Sequence, residues 1–279
     1  MSAQDIYAEV GKRYSAAAEG VEAQYASSVA KAFGYSVEEL SDIPQSANLG
    51  LSCGNPLAMA TLREGETVVD LGSGAGFDVF LAANKVGPKG RVIGVDMNED
   101  MLRKAEELKA SSGKHNVEFV KSQITHIALE DGIADCIISN CVVNLAPEEE
   151  KQLVFNEIFR LLKPGGRVAI SDILAKSALP EKIRKSMALY VGCIAGASQV
   201  GMYRKYLREA GFHGVVIQDT GNDLNVYHRT AVGDSASDGT ARDAYDRGQE
   251  ASCCAKGCSS ATEDDLIIKD VDFNKWTGR

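Results

Sequence analysis

Between residues 67 and 173 the chain alternates short, nearly unbroken apolar runs with longer segments whose apolar positions recur every three or four residues. Val68-Val69-Asp70-Leu71, Arg91-Val92-Ile93-Gly94-Val95, Asn116 to Val120, Ala134 to Asn140 and Arg167 to Ile173 predict five strands. Runs this continuous suit strands buried on both faces, and they place Cys136 in the core. A helix follows the first run through Leu81-Ala82-Ala83. A second is predicted from Asn98, as its cap, to Ala110, with Met101, Leu102, Ala105 and Leu108 facing inward. A third runs from Glu148 to Leu162, with Leu153, Ile158, Leu161 and Leu162 inward. Strand and helix alternating in this way predict an α/β fold with a parallel, Rossmann-like sheet.

Upstream, Ile6, Val10 and Tyr14 recur at intervals of four and predict a short helix over 5–15. A weaker helix is predicted over 22–33, and one turn over 37–40 capped by Ser36. Pro56 suits the first turn of another helix, with Asn55 as its cap. Downstream, helices are predicted around 181–191 and 203–210, followed by short apolar runs at 214–217 and 224–226. Small and polar residues dominate 233–262, the composition of a linker, and 265–276 reads as a strand or turn docking through Leu266, Ile267, Phe273 and Trp276. The boundaries so drawn are an N-terminal helical cover at 1–45, a ligand-binding sheet domain at 46–175, a smaller lobe at 176–232 and a cysteine-containing tail at 233–279.

At 279 residues the chain is long enough for one domain with an appendage, or for two small ones. Its net charge of −9 opposes sequence-independent binding to nucleic acid, which depends on displacing counterions with positive charge. No apolar run reaches the roughly 18 residues of a membrane span, and residues 1–20 are too polar for a secretory leader. Seven cysteines, an odd number, suit reduced thiols in a cytoplasmic protein better than a disulfide scaffold. A monomer with no membrane or nucleic-acid partner is expected.

The chemistry starts where the first strand runs into Gly72-Ser73-Gly74-Ala75-Gly76-Phe77-Asp78. Glycines two apart let the backbone turn sharply and bring bare N–H groups to the mouth of the next helix. Asp96 ends the second strand about twenty residues past Gly76, where an open α/β sheet places the carboxylate that holds a ribose diol. The spacing is Gly-x-Gly-x-Gly and not the Gly-x-Gly-x-x-Gly that wraps a pyrophosphate, which disfavours an NAD-dependent oxidoreductase. Together with Leu162-Lys163-Pro164-Gly165-Gly166-Arg167 before a late strand, this stretch resembles the class I methyltransferases. The resemblance implies S-adenosylmethionine as methyl donor and an adenine contact at Ile124, beyond the third strand. It also implies an N-terminal helix covering the cofactor; on its residues alone that helix equally reads as plain packing.

Cys53, Cys141 and Cys193 each fall in a loop on the expected ligand side of the sheet. Taken singly, each reads two ways. Cys53, ahead of a helix N-terminus, is either a thiol of lowered pKa or a small buried residue. Cys141 lies past the fourth strand's carboxyl end. Cys193 opens a flexible Gly- and Ala-rich stretch, or else fills a packing turn. None forms the close Cys-x-x-Cys or His pairs of structural zinc. Trivalent arsenic, soft and three-coordinate on thiolates, suits such a set. Leu51-Ser52-Cys53-Gly54-Asn55-Pro56, Ser139-Asn140-Cys141-Val142-Val143-Asn144-Leu145 and Gly192-Cys193-Ile194-Ala195-Gly196-Ala197 resemble the cysteine motifs of the arsenite S-adenosylmethionine methyltransferases.

That resemblance implies Cys53, Cys141 and Cys193 as As(III) ligands. It also implies Asp70, Gly72, Gly74, Asp96, Met97, Ile124 and Asn140 around the cofactor, with no metal cofactor. Arsenic delivered as a thiol conjugate attacks the sulfonium methyl through its lone pair, and no general base is needed. Protein thiols then reduce the pentavalent product and form a disulfide, which thioredoxin or glutathione reopens. The chain departs from many eukaryotic members in lacking a cysteine within residues 1–52 and in carrying Leu51 and Gly192 where tyrosine and glutamate are usual. Cys253, Cys254 and Cys258 either trap a soft ion or are dispensable. Two rivals remain: a methyltransferase of a small organic substrate of quinone or sterol type, and a non-catalytic arsenite-binding protein.

Overall fold

The computed structural model describes residues 2–222, Leu224 and the backbone pairing of Thr277–Gly278. Its frame is a five-stranded sheet formed by β1 (Thr67–Leu71), β2 (Arg91–Asp96), β3 (Val117–Lys121), β4 (Ala134–Asn140) and β5 (Leu162–Ser171), in the order β3-β2-β1-β4-β5. Every neighbouring pair is parallel. Both faces are buried, which explains the unbroken apolar runs. Val68, Val92, Cys136 and Ile138 pack on one side with α5 (Phe77–Val86). Val69, Ile93, Val95 and Ile137 pack on the other with α7 (Lys151–Leu161) and α10 (Val200–Ala210). Cys136 is fully buried in the first layer, as its neighbours predict.

Local signals account for most helix starts. In α1 (Ala3–Ala18) Ser2 and Asp5 form a reciprocal capping box, and Ile6 and Val10 bury the inner stripe. After α2 (Ala23–Ala32), Ser36 and Glu39 repeat the box for α3 (Val37–Ser41). Asn55 caps α4 (Pro56–Ala60), with Pro56 in its first turn, and Asn98 caps α6 (Glu99–Ser112). Within α6 Met101 and Ala105 are buried, whereas Leu102 and Leu108 are half-buried.

Several expectations are corrected. Leu153 points outward and is 48% exposed; the buried residues of α7 are Lys151, Val154, Phe155, Ile158 and Leu161. Leu153 and Ile158 are five positions apart, about 140° around the helix, so they never shared a stripe. The predicted 148–162 helix divides into a 3-10 turn at Glu148–Glu150 and α7, and Leu162 already belongs to β5. That strand begins earlier than expected because Leu162 pairs with Ala134, and the glycine turn 163–166 is an irregularity before Arg167 pairs with Cys136. Ile173 falls past its end, ahead of β6 (Leu174–Ala175).

Residues 181–191 form two short helices, α8 (Glu181–Arg184) and α9 (Met187–Val191). The 214–217 run is neither helix nor strand, and Val216 is 86% exposed. β7 (Thr277–Gly278) pairs antiparallel with β6. Leu266, Ile267, Phe273, Trp276 and the tail cysteines Cys253, Cys254 and Cys258 lie outside the described residues.

Candidate active site

The strand order reverses between β1 and β4, and the crevice at that switch point is where open α/β sheets take ligands. A cleft of about 1050 Å³, its open mouth included, occupies it. β1 leaves the sheet through Gly72, Gly74 and Gly76 at φ of 65°, 53° and 90°, backbone that favours glycine. A Cβ on Gly72 would collide with the Val142 side chain, so the turn after β1 and the segment after β4 touch directly. The Asp96 carboxylate secures the cradle, accepting from the Gly74 N–H at 2.8 Å and from the Asn98 N–H at 2.8 Å.

All seven residues expected around a cofactor, Asp70, Gly72, Gly74, Asp96, Met97, Ile124 and Asn140, line this one cleft. Two of its other wall residues, Asp78 and Ser73, were not anticipated, whereas an N-terminal helix at the cofactor was. α1 contributes Tyr7, Val10 and Tyr14, and the Asn98 side-chain amide ties that helix down by donating to Gly11 O and Ser15 Oγ, each at 3.0 Å. Asp78, in the first turn of α5, is a buried wall residue. An acid two residues after the third glycine, in the first turn of the helix it opens, is the signal that could have found it. Ser73 contributes a buried hydroxyl with no partner among the described residues.

The electrostatics of the cleft are one-sided. Burial pushes the Asp70 carboxyl well above its ordinary value, and the charges of Asp78 and Asp96 add to the shift. Asp78 is pushed up to about 6 by burial, opposed by hydrogen bonds from Tyr35 and Asn140. Asp96 is also raised by burial, opposed by backbone N–H groups. Buried carboxylates are costly unless compensated, so converging acids favour a ligand that carries positive charge and hydroxyl donors. S-adenosylmethionine, with a sulfonium, an ammonium and a ribose diol, fits these walls.

Against this cleft lie the thiols. The sulfur atoms of Cys53, Cys141 and Cys193 all fall within 4.8 Å of one another. Cys53 and Cys141 are paired as a disulfide across 88 residues, with their Cα atoms 5.7 Å apart. The Cys193 thiol donates to the Cys141 carbonyl at 2.9 Å. Cys141 and Cys193 both adopt φ of 65°, which for non-glycine residues costs on the order of 1 kcal/mol each and is concentrated at functional sites. The Cys141 N–H donates to Ser171 O and the Cys193 N–H to Tyr190 O, each at 2.9 Å, which holds both turns in place.

For two of the cysteines the structure selects between the two readings open in the sequence. Cys53 is not an accessible thiolate at a helix mouth: it is buried, disulfide-paired, and followed by a helix of only five residues. The stretch opened by Cys193 is a packed turn, with Cys193, Ile194 and Ala195 buried. Burial, reinforced by the charge of Asp172, raises the Cys193 thiol far above its ordinary value, so it is held protonated here. An apolar shell of Ile6, Val10, Leu145, Ile173 and Tyr190 surrounds the three sulfurs. Val10 and Leu145 belong to both that shell and the cleft wall, and Met97 and Tyr14 pack against it from the cleft.

Comparison with known proteins agrees with this geometry. Residues 62–211 match the family model described as a methyltransferase domain. An arsenite methyltransferase of Halobacterium salinarum is 46% identical over 216 residues, covering 77% of this chain and 55% of the relative. That of Aquipseudomonas alcaligenes is 39% identical over 167 residues, covering 57% of this chain and 47% of the relative. The chain thus spans about half the length of the curated relatives it matches. Among solved structures, an arsenic (III) S-adenosylmethionine methyltransferase from Chlamydomonas reinhardtii superposes with a TM-score of 0.52 at 32% identity, over 71% of this chain and 68% of that one. The switch-point cleft, the glycine cradle and these relatives place the chain in the methyltransferase domain family, on its arsenite methyltransferase branch.

Proposed function

We propose that this protein transfers methyl groups from S-adenosylmethionine to trivalent arsenic held by Cys53, Cys141 and Cys193. The observation that carries the proposal is the convergence of three sulfurs, from segments far apart in sequence, against the wall of a cleft lined by buried acids. When bound in that cleft, S-adenosylmethionine would supply an electrophilic methyl group: the arsenic lone pair forms the As–C bond as the S–CH3 bond breaks, its electron pair staying on the sulfur of the departing S-adenosylhomocysteine. Asp96 and the Gly72–Gly76 turn would hold the donor, with Asp70, Met97, Ile124 and Asn140 completing its walls. No residue need act as a general base, because arsenic has no proton to lose. The apolar shell excludes water, and the fixed thiols supply alignment.

Methylation leaves arsenic pentavalent. Reduction takes two electrons from the Cys53 and Cys141 thiolates, which leave as the disulfide, and arsenic returns to the trivalent state. Thioredoxin or glutathione then reopens the disulfide, and arsenic arrives as a conjugate of a small thiol. On this reading residues 1–45 cover the site, 46–175 bind the cofactor and 176–232 supply the third ligand.

The test incubates reduced protein with arsenite and methyl-labelled S-adenosylmethionine and separates the arsenic species, with Cys53→Ser, Cys141→Ser and Cys193→Ser in parallel. Label in methylated arsenic that disappears in the three variants is the expected result. Cofactor binding with no labelled arsenic would instead favour an organic substrate. Arsenic binding without any transfer would make the protein a thiol trap.

A further inference from the structure

We infer that Asp78 and Tyr35 are positioning residues for the Cys53–Cys141 pair, acting through the side-chain amide of Asn140. The inference concerns the sulfur pair itself and rests on the proposed function only for its consequence to arsenic.

Asn140 ends β4, directly before Cys141, so its backbone is already tied to one of the two sulfurs. Its side chain holds the other. Oδ1 accepts from the Cys53 N–H at 3.2 Å, and Nδ2 donates to the Gly54 carbonyl at 2.9 Å. One amide thus brackets the Cys53-Gly54 dipeptide from both ends and sets its distance from Cys141.

An asparagine amide is nearly symmetric in shape, and an external reference must select which end faces Cys53. Asp78 provides it. Asn140 Nδ2 donates to Asp78 Oδ2 at 3.0 Å, while the Tyr35 hydroxyl donates to Asp78 Oδ1 at 2.7 Å and lies 3.0 Å from Nδ2. Turning the amide over would set Oδ1 against a carboxylate and Nδ2 against the Cys53 N–H, repulsive at both ends. Asp78 and Tyr35 are 5% and 3% exposed, and the Tyr35 ring packs edge-on against Phe77 with centroids 4.8 Å apart, so the reference is rigid. No ion pair to Asp78 occurs among the described residues. A buried carboxylate without a cation is a poor way to stabilise a fold. Charge-assisted bonds that orient one amide give it a purpose.

The experiment measures the equilibrium of the Cys53–Cys141 disulfide in a dithiothreitol redox buffer, by mass spectrometry of the full chain, with neither arsenic nor cofactor present. Asp78→Asn leaves one acceptor oxygen for two donors and is expected to weaken disulfide formation about tenfold, the scale of one hydrogen bond to a charged group. Tyr35→Phe, which keeps the ring, is expected to weaken it about threefold. In an Asn140→Ala background Asp78→Asn should have no further effect, because Asp78 acts through that amide. Unchanged equilibria in variants that fold by circular dichroism, or an undiminished effect of Asp78→Asn in the Asn140→Ala background, would overturn the inference.

A separate arm counts sulfur ligands on bound arsenite by X-ray absorption. Three in the parent and two in Asp78→Asn is the expected outcome. A parent that binds no arsenic would sink the proposed function and leave the disulfide result standing, whereas three sulfurs in both proteins would overturn the positioning role at the arsenic site.

Discussion

Gly196 packs against the main chain of Asn144 so closely that a Cβ on Gly196 would fall inside 3.0 Å of the Asn144 carbonyl oxygen. Asn144 in turn donates through Nδ2 to the carbonyl of Cys193 at 3.3 Å and to that of Ile173 at 2.7 Å. The turn that carries the third cysteine is therefore held against Asn144 twice, through the Asn144 side-chain amide at Cys193 and through the Asn144 main chain at Gly196. Gly196→Ala should cost about 1–3 kcal/mol in urea unfolding, because the obstructing atom is main chain and cannot swing aside. It should weaken arsenite binding more than cofactor binding. Gly201→Ala is the control: nothing lies within 4 Å of its Cβ position in α10, so it should be neutral or stabilising by up to about 1 kcal/mol.

Cys136 separates thiol chemistry from thiol packing. It is fully buried among Val68, Val92 and Ile138, and burial raises its thiol to about 11. Cys136→Ala should lower stability by about 1 kcal/mol, the scale of a small cavity. Methyl transfer to arsenic should be kept. Loss of transfer in a folded Cys136→Ala protein would show that the ligand set has been misassigned.

Asp172 gives stability a pH dependence of predictable sign. Burial pushes its carboxyl up to about 7 from an ordinary 3.8, opposed by the Tyr203 hydroxyl and by Lys151. Between those values the folded state holds a proton that the unfolded chain releases, so this group's contribution falls as pH rises from about 3.8 to about 7. The Tyr203 hydroxyl donates to Oδ2 at 2.8 Å, and Oδ1 has no partner among the described residues. Asp172→Asn should flatten that decline, measured as the difference in urea midpoint between pH 5 and pH 8. An equal difference in both proteins would contradict it.

Asp96→Asn removes a charge and leaves one acceptor where the Gly74 and Asn98 N–H groups now use both oxygens. Affinity for S-adenosylmethionine should fall about 10–100-fold, the scale of a hydrogen bond to a charged group. Titration calorimetry reads it directly, and unchanged affinity would remove Asp96 from the donor site.

Lys151 is a structural counterpart to these site residues. It is 1% exposed, and its ammonium donates to Ser198 Oγ at 2.8 Å, to the Gly196 carbonyl and to Glu148. Lys151→Met would leave the Gly196 carbonyl and the Ser198 hydroxyl without that donor. Its expected cost is about 1–3 kcal/mol by chemical denaturation, and Glu148, whose side chain is 57% exposed, keeps its solvation.

Signals that act over a few residues were legible without the structure. Val68 to Leu71 needs no context to read as a doubly buried strand, nor do Gly72, Gly74 and Gly76 to read as a cradle. Ser36, Asn55 and Asn98 cap helices for reasons contained in their own turns. The choice of Leu153 failed because a single apolar residue on a helix does not declare its face until a neighbour claims it, and α10 packs on the face carrying Phe155. The sequence left Cys53 with two readings because one residue beside one helix does not choose between them; Cys141, 88 residues away, decides that residue's chemistry.

The sequence by itself determined the five sheet strands, most of the helices, the cradle and which thiols were candidates, since glycine freedom, capping and two-faced burial are local properties of the chain. Only the tertiary structure decided that three sulfurs meet within 4.8 Å, that α1 is tied down through Asn98, and that Tyr35 and Asp78 reach Asn140. Those contacts follow from strand order. The strand order reverses between the parallel neighbours β1 and β4, bringing the ends of two strands about seventy residues apart in sequence into one crevice, and no periodicity along the chain encodes that meeting.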